Sequence, residues 1–141
     1  MHVTITVRGL QELVSRTEPI RNGRWAQNAV REGIAIVSRG IKERFDAEVD
    51  PDGSPWAALK PSTLRRKTGE KKLVQSGALR SSIRVVGINA LASKVVAADM
   101  PGKFHEHGTT KMVARPFMGI SQTDETKVMN MMQRRLRELG A

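Results

Sequence analysis

The spacing of apolar residues changes several times along this chain, and each change predicts a different structural element. Between residues 23 and 48, apolar side chains recur at three- and four-residue intervals, and charged side chains fill most of the positions between them. This period predicts one long amphipathic helix, about 39 Å in length at 1.5 Å per residue. Its apolar positions are Trp25, Ala29, Ile34, Val37, Ile41 and Phe45.

Alternation of apolar and polar residues predicts strands elsewhere in the chain. Residues 3–7 form one such stretch, and residues 82–88 and 93–98 form two more around a short turn. The latter pair predicts an antiparallel hairpin. Residues 111–118 predict a further strand, which belongs at a sheet edge because Pro116 cannot donate a ladder hydrogen bond.

Helical spacing returns at the C-terminal end, where either Ser121 or Thr123 is placed to cap a final helix. Apolar residues then recur at Val128, Met132, Leu136 and Leu139. Shorter helical turns are predicted at residues 10–17, at 63–67 after a Ser62 cap, and after Ser76. We therefore expect a single α+β domain over residues 1–141. A small antiparallel sheet packs against the long helix and the C-terminal helix, with a basic extended loop.

Residues 50–59, Asp-Pro-Asp-Gly-Ser-Pro-Trp-Ala-Ala-Leu, lie between the long helix and that loop. Two prolines and a glycine predict a rigid turn, because proline fixes φ and glycine adopts conformations that other residues avoid. Trp56 follows at once and is large enough to need a pocket. We expect this indole to be a structural clamp in the core of its own chain.

The chain carries a formal net charge of +10 and favours contact with polyanions. A basic loop over residues 60–72 concentrates this charge and is expected to be mobile. The loop lacks interleaved aromatic residues for base stacking, so non-specific contact with a DNA backbone is the alternative function that it supports. Its basic residues are Lys60, Arg65, Arg66, Lys67, Lys71 and Lys72.

Other chemistry finds little support in the residue types. The 141 residues include no cysteine, which removes disulfides and thiolate chemistry, and no stretch is apolar enough for a membrane span. His105 and His107 are the one pair with metal-ligand character, and Asp50 and Asp52 are the one candidate acid pair. An i, i+2 histidine pair shares a face only on a strand, and aspartates in a tight turn usually bond their own backbone. No metal, cofactor or catalytic residue is expected.

Four segments in order resemble the phage virion morphogenesis family, the tail completion proteins of Mu-like and related tailed phages. The first runs from Phe45 to residue 59, and the second is the Leu-Val-Gln-Ser-Gly-Ala-Leu-Arg-Ser-Ser-Ile of residues 73–83. Residues 104–108 and the Ala-Arg-Pro-Phe-Met-Gly-Ile-Ser of residues 114–121 complete the match. His107 and Val113 depart from the family pattern, which more often has an aromatic residue and a proline there.

The resemblance implies a non-enzymatic structural protein that completes the tail and joins it to the head. Its expected partners are copies of itself in a ring, expected to be hexameric, together with tail tube or terminator and head–tail connector proteins. The expected location is the neck or tail of the virion, with the host cytoplasm during assembly. Arg115, Pro116 and Phe117 resemble a fixed turn that presents an interface, and Phe45, Trp56 and Leu79 resemble clamps around the long helix.

Overall fold

A computed structural model of the protein describes residues 3–6, 23–66, 77–89, 92–98 and 101–138. Its strands are β1 (Val3–Thr6), β2 (Ile83–Asn89) and β3 (Ala92–Ala97). Its helices are α1 (Gly23–Ala47), α2 (Pro61–Arg66), α3 (Ala78–Ser82), α4 (Pro101–His107) and α5 (Gln122–Glu138). Helices and a small antiparallel sheet share one core, so the α+β fold is confirmed.

The long helix α1 is the element against which the sheet and α5 both pack. Its 25 residues confirm the predicted helix to within one residue at the C-terminal end. Five of the six predicted apolar positions are buried, and Trp25 is half-buried against the core. Burial of this stripe removes apolar surface from water, which is the largest favourable contribution to folding.

The sheet has the strand order β1-β3-β2, and both pairings are antiparallel. Val3 pairs with Ala97 on one side of β3, and Ile83 pairs with the same residue on the other side. The predicted β2–β3 hairpin is confirmed, with a register shift between Gly87 and Asn89 close to its turn. Ile83 and Val95 reach the core beneath α1.

The C-terminal helix α5 begins directly after Ser121, whose hydroxyl oxygen accepts a hydrogen bond from the backbone N–H of Asp124 at 3.0 Å. Of the two predicted candidates, Ser121 and Thr123, Ser121 is therefore the residue that caps the helix. Val128, Met131 and Met132 are buried against α1. Leu139, the last residue of the predicted stripe, lies outside the described residues.

The predicted strand at 111–118 is wrong, because these residues run as an irregular segment that joins no sheet. Its backbone donors have other acceptors: the N–H of Arg115 donates to the carbonyl of His105, and the N–H of Phe117 donates to the Glu106 carboxylate. Both acceptors come from α4, for which no helix was predicted. The predicted turn at 10–17 and residues 67–76 lie outside the described residues.

None of the described helices is both long enough and apolar enough to cross a lipid bilayer.

Candidate assembly site between two loops

A tight turn follows the end of α1 and fixes where the chain goes next. Glu48 adopts a left-handed φ of 58°, which ends the helix, and Val49 then pairs with Pro55 as an isolated antiparallel bridge. Asp50 closes the turn twice, since its N–H donates to the Ser54 carbonyl at 2.9 Å and its carboxylate accepts from the Ser54 N–H at 2.8 Å. The predicted rigidity of this turn thus has a hydrogen-bonding basis.

Trp56 leaves this turn and enters the core of its own chain. Its ring meets Phe45 of α1 edge-on with centroids 5.4 Å apart, and Phe45 meets Phe117 with centroids 5.0 Å apart. Such edge-to-face pairs add to the free energy of burial. The indole N–H donates to the carbonyl of Pro116 at 2.7 Å, and Leu79 is buried in the same cluster. All three predicted clamp residues therefore lie in one core.

A second set of hydrogen bonds joins the turn to the segment around Arg115. The Arg115 guanidinium donates to the carbonyls of Ala57 and Ala58, both at 2.9 Å. The Glu106 carboxylate accepts from the backbone N–H groups of Phe117 and Met118, at 2.9 and 3.1 Å. We call the side chains of Trp56, Glu106 and Arg115, with these backbone partners, the latch. The latch ties α4 and two loops, distant in sequence, into one unit.

The latch changes how the predicted interface residues are understood. The side chains of Arg115 and Phe117 are buried within the chain, and Pro116 is half-buried. The interface role of this segment stays a prediction. If the segment does form a contact, the contacting side chains are the exposed ones beside it, such as Val113.

A buried ion pair fastens the other end of the same segment. The guanidinium of Arg44 lies 2.5 Å from the carboxylate of Asp124 and also donates to the carbonyl of Gly119. The backbone N–H of Ser121 donates to the same carboxylate at 3.0 Å. Gly40 permits this approach, because a Cβ there would lie 1.9 Å from an Asp124 oxygen.

The buried ion pair escaped sequence reasoning for a simple physical reason. Arg44 sits among other charged residues of an amphipathic helix, and Asp124 looks like an ordinary first-turn acid. The two are 80 residues apart in the chain. Gly40, a glycine inside a strong helical pattern, was the available signal that another group approaches closely.

The candidate acid pair lies at an open groove of about 430 Å³ between this turn and the start of α5. Asp50 has its carboxylate engaged by its own turn, and Asp52 is exposed. Glycoside hydrolysis requires two acids held together in an enclosed cleft. Asp50 and Asp52 do not form such a pair.

The two histidines of the candidate metal cluster lie on α4. Two residues apart on a helix, His105 and His107 project about 200° from one another, so they share no face. Glu106 between them belongs to the latch. Across the part of the chain that the structure describes, no group of three potential metal ligands comes together.

The described part of the basic loop is exposed. Helix α2 carries Arg65 and Arg66 and buries no residue, and the ammonium of Lys60 donates to the carbonyl of Lys111 at 3.1 Å. The remaining basic residues, Lys67, Lys71 and Lys72, lie outside the described residues, so the predicted mobility of the loop stays a prediction.

Every hydrogen bond of the latch joins one part of the chain to another, so its polar groups are occupied within the fold. Comparison with known proteins identifies the family. Residues 31–137 match the phage virion morphogenesis family, and the chain belongs to that family. It is also similar to Mu-like prophage FluMu G protein 1 of Haemophilus influenzae, with 24% identity over 135 residues that cover 92% of this chain and 90% of the relative. No solved structure matches the chain.

Family membership confirms the resemblance carried by the four segments and indicates a structural role in phage morphogenesis.

Proposed function

We propose that this protein completes the phage tail and joins it to the head, through contacts between proteins and without catalysis. Copies of the chain form a ring at the neck of the virion, and the ring binds tail and connector proteins on its two sides. Membership of the virion morphogenesis family supports a role in phage assembly. The latch supports the rest, since a subunit that transmits contacts between two large assemblies needs a stiff frame.

The observation that carries the proposal is a set of exposed apolar side chains on α2, on α4 and just before Arg115, close in sequence to the latch. Leu64 of α2, Phe104 of α4 and Val113 are 46%, 47% and 55% exposed. We call these three residues the apolar rim. Large apolar side chains left in water on a rigid frame are typical of surfaces that bind another protein.

Hydrogen bonds keep the parts of the apolar rim in place. The bond from Lys60 to the carbonyl of Lys111 joins the segment that carries Leu64 to the segment that carries Val113. The N–H of Gly108 donates to the carbonyl of Phe104 at 2.8 Å and ends α4 beside them. In the ring, we expect the rim to form the contact between neighbouring copies.

The test compares a rim variant with a matched control. Leu64→Glu with Val113→Glu places charge on the rim, and Met129→Glu places charge on a residue of α5 that is 53% exposed and belongs to neither the rim nor the latch. The mass of each purified protein is measured by analytical ultracentrifugation over a range of concentrations. We expect wild type and Met129→Glu to form a defined oligomer, and the rim variant to be a folded monomer whose circular dichroism spectrum matches that of wild type.

An oligomer that survives both rim substitutions would remove the rim as the contact. A wild-type protein that stays monomeric at every concentration, and also with isolated tails, would contradict the ring.

A further inference from the structure

The acidic residues of α1 are all engaged by basic residues from other parts of the chain. Each of the three lies in an ion pair that leads away from the helix. The pairs are Glu32 with Arg134 and Arg135, Glu43 with Lys127, and Asp46 with Arg80. The negative charge of this helix is therefore compensated within the protein.

The basic residues of the same helix are treated differently. Arg44 is buried against Asp124, but Arg24, Arg31 and Arg39 are exposed and Lys42 is half-exposed. In the part of the chain that the structure describes, the ion pairs of α1 include none of these four cations. Four positive charges thus face solvent and have no acidic partner among the described residues.

These four cations lie along one side of the helix. At 100° per residue they fall within an arc of about 80°, and at 1.5 Å per residue they extend over about 27 Å. We call Arg24, Arg31, Arg39 and Lys42 the basic ridge. The exposed side chains between them in sequence include Asn28 and Ala35, which add neither negative charge nor a large apolar group.

We propose that the basic ridge binds the phosphate backbone of duplex DNA without reading its sequence. A length of about 27 Å corresponds to roughly eight base pairs at 3.4 Å each, so one duplex can meet all four cations. Phosphate contacts by arginine and lysine fix position on a duplex and carry no sequence information. The site differs from the basic loop at 60–72, for which DNA contact was the alternative function that the sequence supported.

Duplex DNA fits this ridge better than an acidic protein does. Protein interfaces depend on a few anchors that become buried within an apolar surround. Large exposed apolar side chains of the described residues lie elsewhere, on α2, α4, α5, β2 and the loop at Val113. A ridge of cations without such anchors suits a partner that presents regular charge. The proposal stands independently of the role in head–tail joining.

Counterion release sets the expected size of the effect. Each neutralised phosphate contributes about −0.9 to the slope of log affinity against log salt concentration, so four cations contribute about −3.6. Removal of the ridge charges should therefore flatten the salt dependence as well as weaken binding.

The test measures fluorescence anisotropy of a labelled 30-base-pair duplex with the full chain from 50 to 200 mM salt. The ridge variant changes Arg24, Arg31, Arg39 and Lys42 to Gln. The matched control changes Lys60, Arg65, Arg66 and Lys111 to Gln, which removes the same charge from exposed residues elsewhere. Circular dichroism establishes that both variants fold.

We expect the ridge variant to lose at least tenfold in affinity at 50 mM salt and about three units of salt slope. The control should change affinity less than threefold. Equal losses in both variants, or no wild-type binding at 50 mM salt, would overturn the proposal. Displacement of the duplex is also measured with polyglutamate and with unlabelled DNA of equal charge. If polyglutamate competes as strongly as the DNA, the assignment to nucleic acid is overturned.

Discussion

Individual buried charges decide much of how this chain is held together. Arg44, Arg115 and Asp124 are buried charged side chains, and each is held by hydrogen bonds to a partner distant in sequence. A buried charge is costly to remove from water, and the cost is offset only while its partners stay in place. Loss of one partner is therefore worse than loss of an exposed ion pair.

Substitution of Asp124 by Ala should expose this dependence. It leaves the buried Arg44 guanidinium without its carboxylate and also removes the acceptor for the Ser121 N–H. We expect a loss of about 3–5 kcal/mol in the free energy of unfolding, measured by urea denaturation. Glu125→Ala, in the same helical turn but exposed, is the control and should change stability by less than about 1 kcal/mol. Equal effects would show that the ion pair is not specially stabilising.

The contribution of Trp56 to stability can be divided into the packing of its ring and its hydrogen bond. Trp56→Ala removes a buried ring from Phe45 and should cost about 3–5 kcal/mol of folding free energy. Trp56→Phe keeps an aromatic ring but loses the N–H that donates to the Pro116 carbonyl. Loss of that hydrogen bond should lower the free energy of unfolding by about 1 kcal/mol. Thermal unfolding of both variants measures the difference. A negligible effect of Trp56→Ala would mean that the indole does not clamp its own chain.

At the scale of elements, α1 and α5 are joined by a core stripe and by charges at its border. Glu32 of α1 receives hydrogen bonds from Arg134 and Arg135 of α5. Burial raises the pKa of Glu32, but the hydrogen bonds and positive charges of Arg135 and Arg134 outweigh burial and hold that pKa below its ordinary value of 4.5. The ionised form is thus favoured in the folded protein.

The pH dependence follows from this direction. A carboxyl with a lowered pKa in the folded protein stabilises it fully above the ordinary pKa of 4.5, and this contribution is lost as pH falls through the lower folded value. Glu32→Gln should therefore be less stable than wild type at pH 7, and the difference should shrink below pH 4.5. Urea unfolding at several pH values tests this, with Glu43→Gln as the control of equal charge. A difference that does not change with pH would contradict the role of Glu32.

Sequence patterns predicted the elements that depend on local periodicity. The helix α1 and the β2–β3 hairpin follow from the spacing of apolar residues, and so does the Ser121 cap of α5. The strand predicted over residues 111–118 was wrong, although apolar and polar residues alternate there as in a strand. In the structure, the Glu106 carboxylate accepts the backbone hydrogen bond of Phe117 that a neighbouring strand would otherwise accept. Only the folded chain brings that carboxylate to the backbone.

The candidate site was predictable only where a residue's local sequence indicates its surroundings. The size of Trp56 and the rigid turn before it predicted a buried side chain, and Trp56 is buried. Arg115 was expected in a turn that presents an interface, which stays a prediction, and its guanidinium binds the carbonyls of Ala57 and Ala58. An arginine in a Pro-containing loop gives no local sign of which carbonyls it will reach 57 residues away.

At the scale of the whole molecule, surface properties divide between two regions. The apolar rim lies on α2, on α4 and at Val113, and the basic ridge lies along α1. The formal net charge of +10 draws the protein to polyanions and opposes the close approach of two copies. In the proposed ring, the contact at the apolar rim has to outweigh that repulsion.

Electron microscopy of particles produced without this protein tests the central claim most directly. A phage or prophage that carries the chain is deleted for its gene, and particles are purified with and without the protein supplied in trans. The account predicts filled heads and complete tails that lie apart in the deletion, and joined virions when wild-type protein is supplied. Normally joined virions in the deletion would contradict a role in tail completion and head–tail joining.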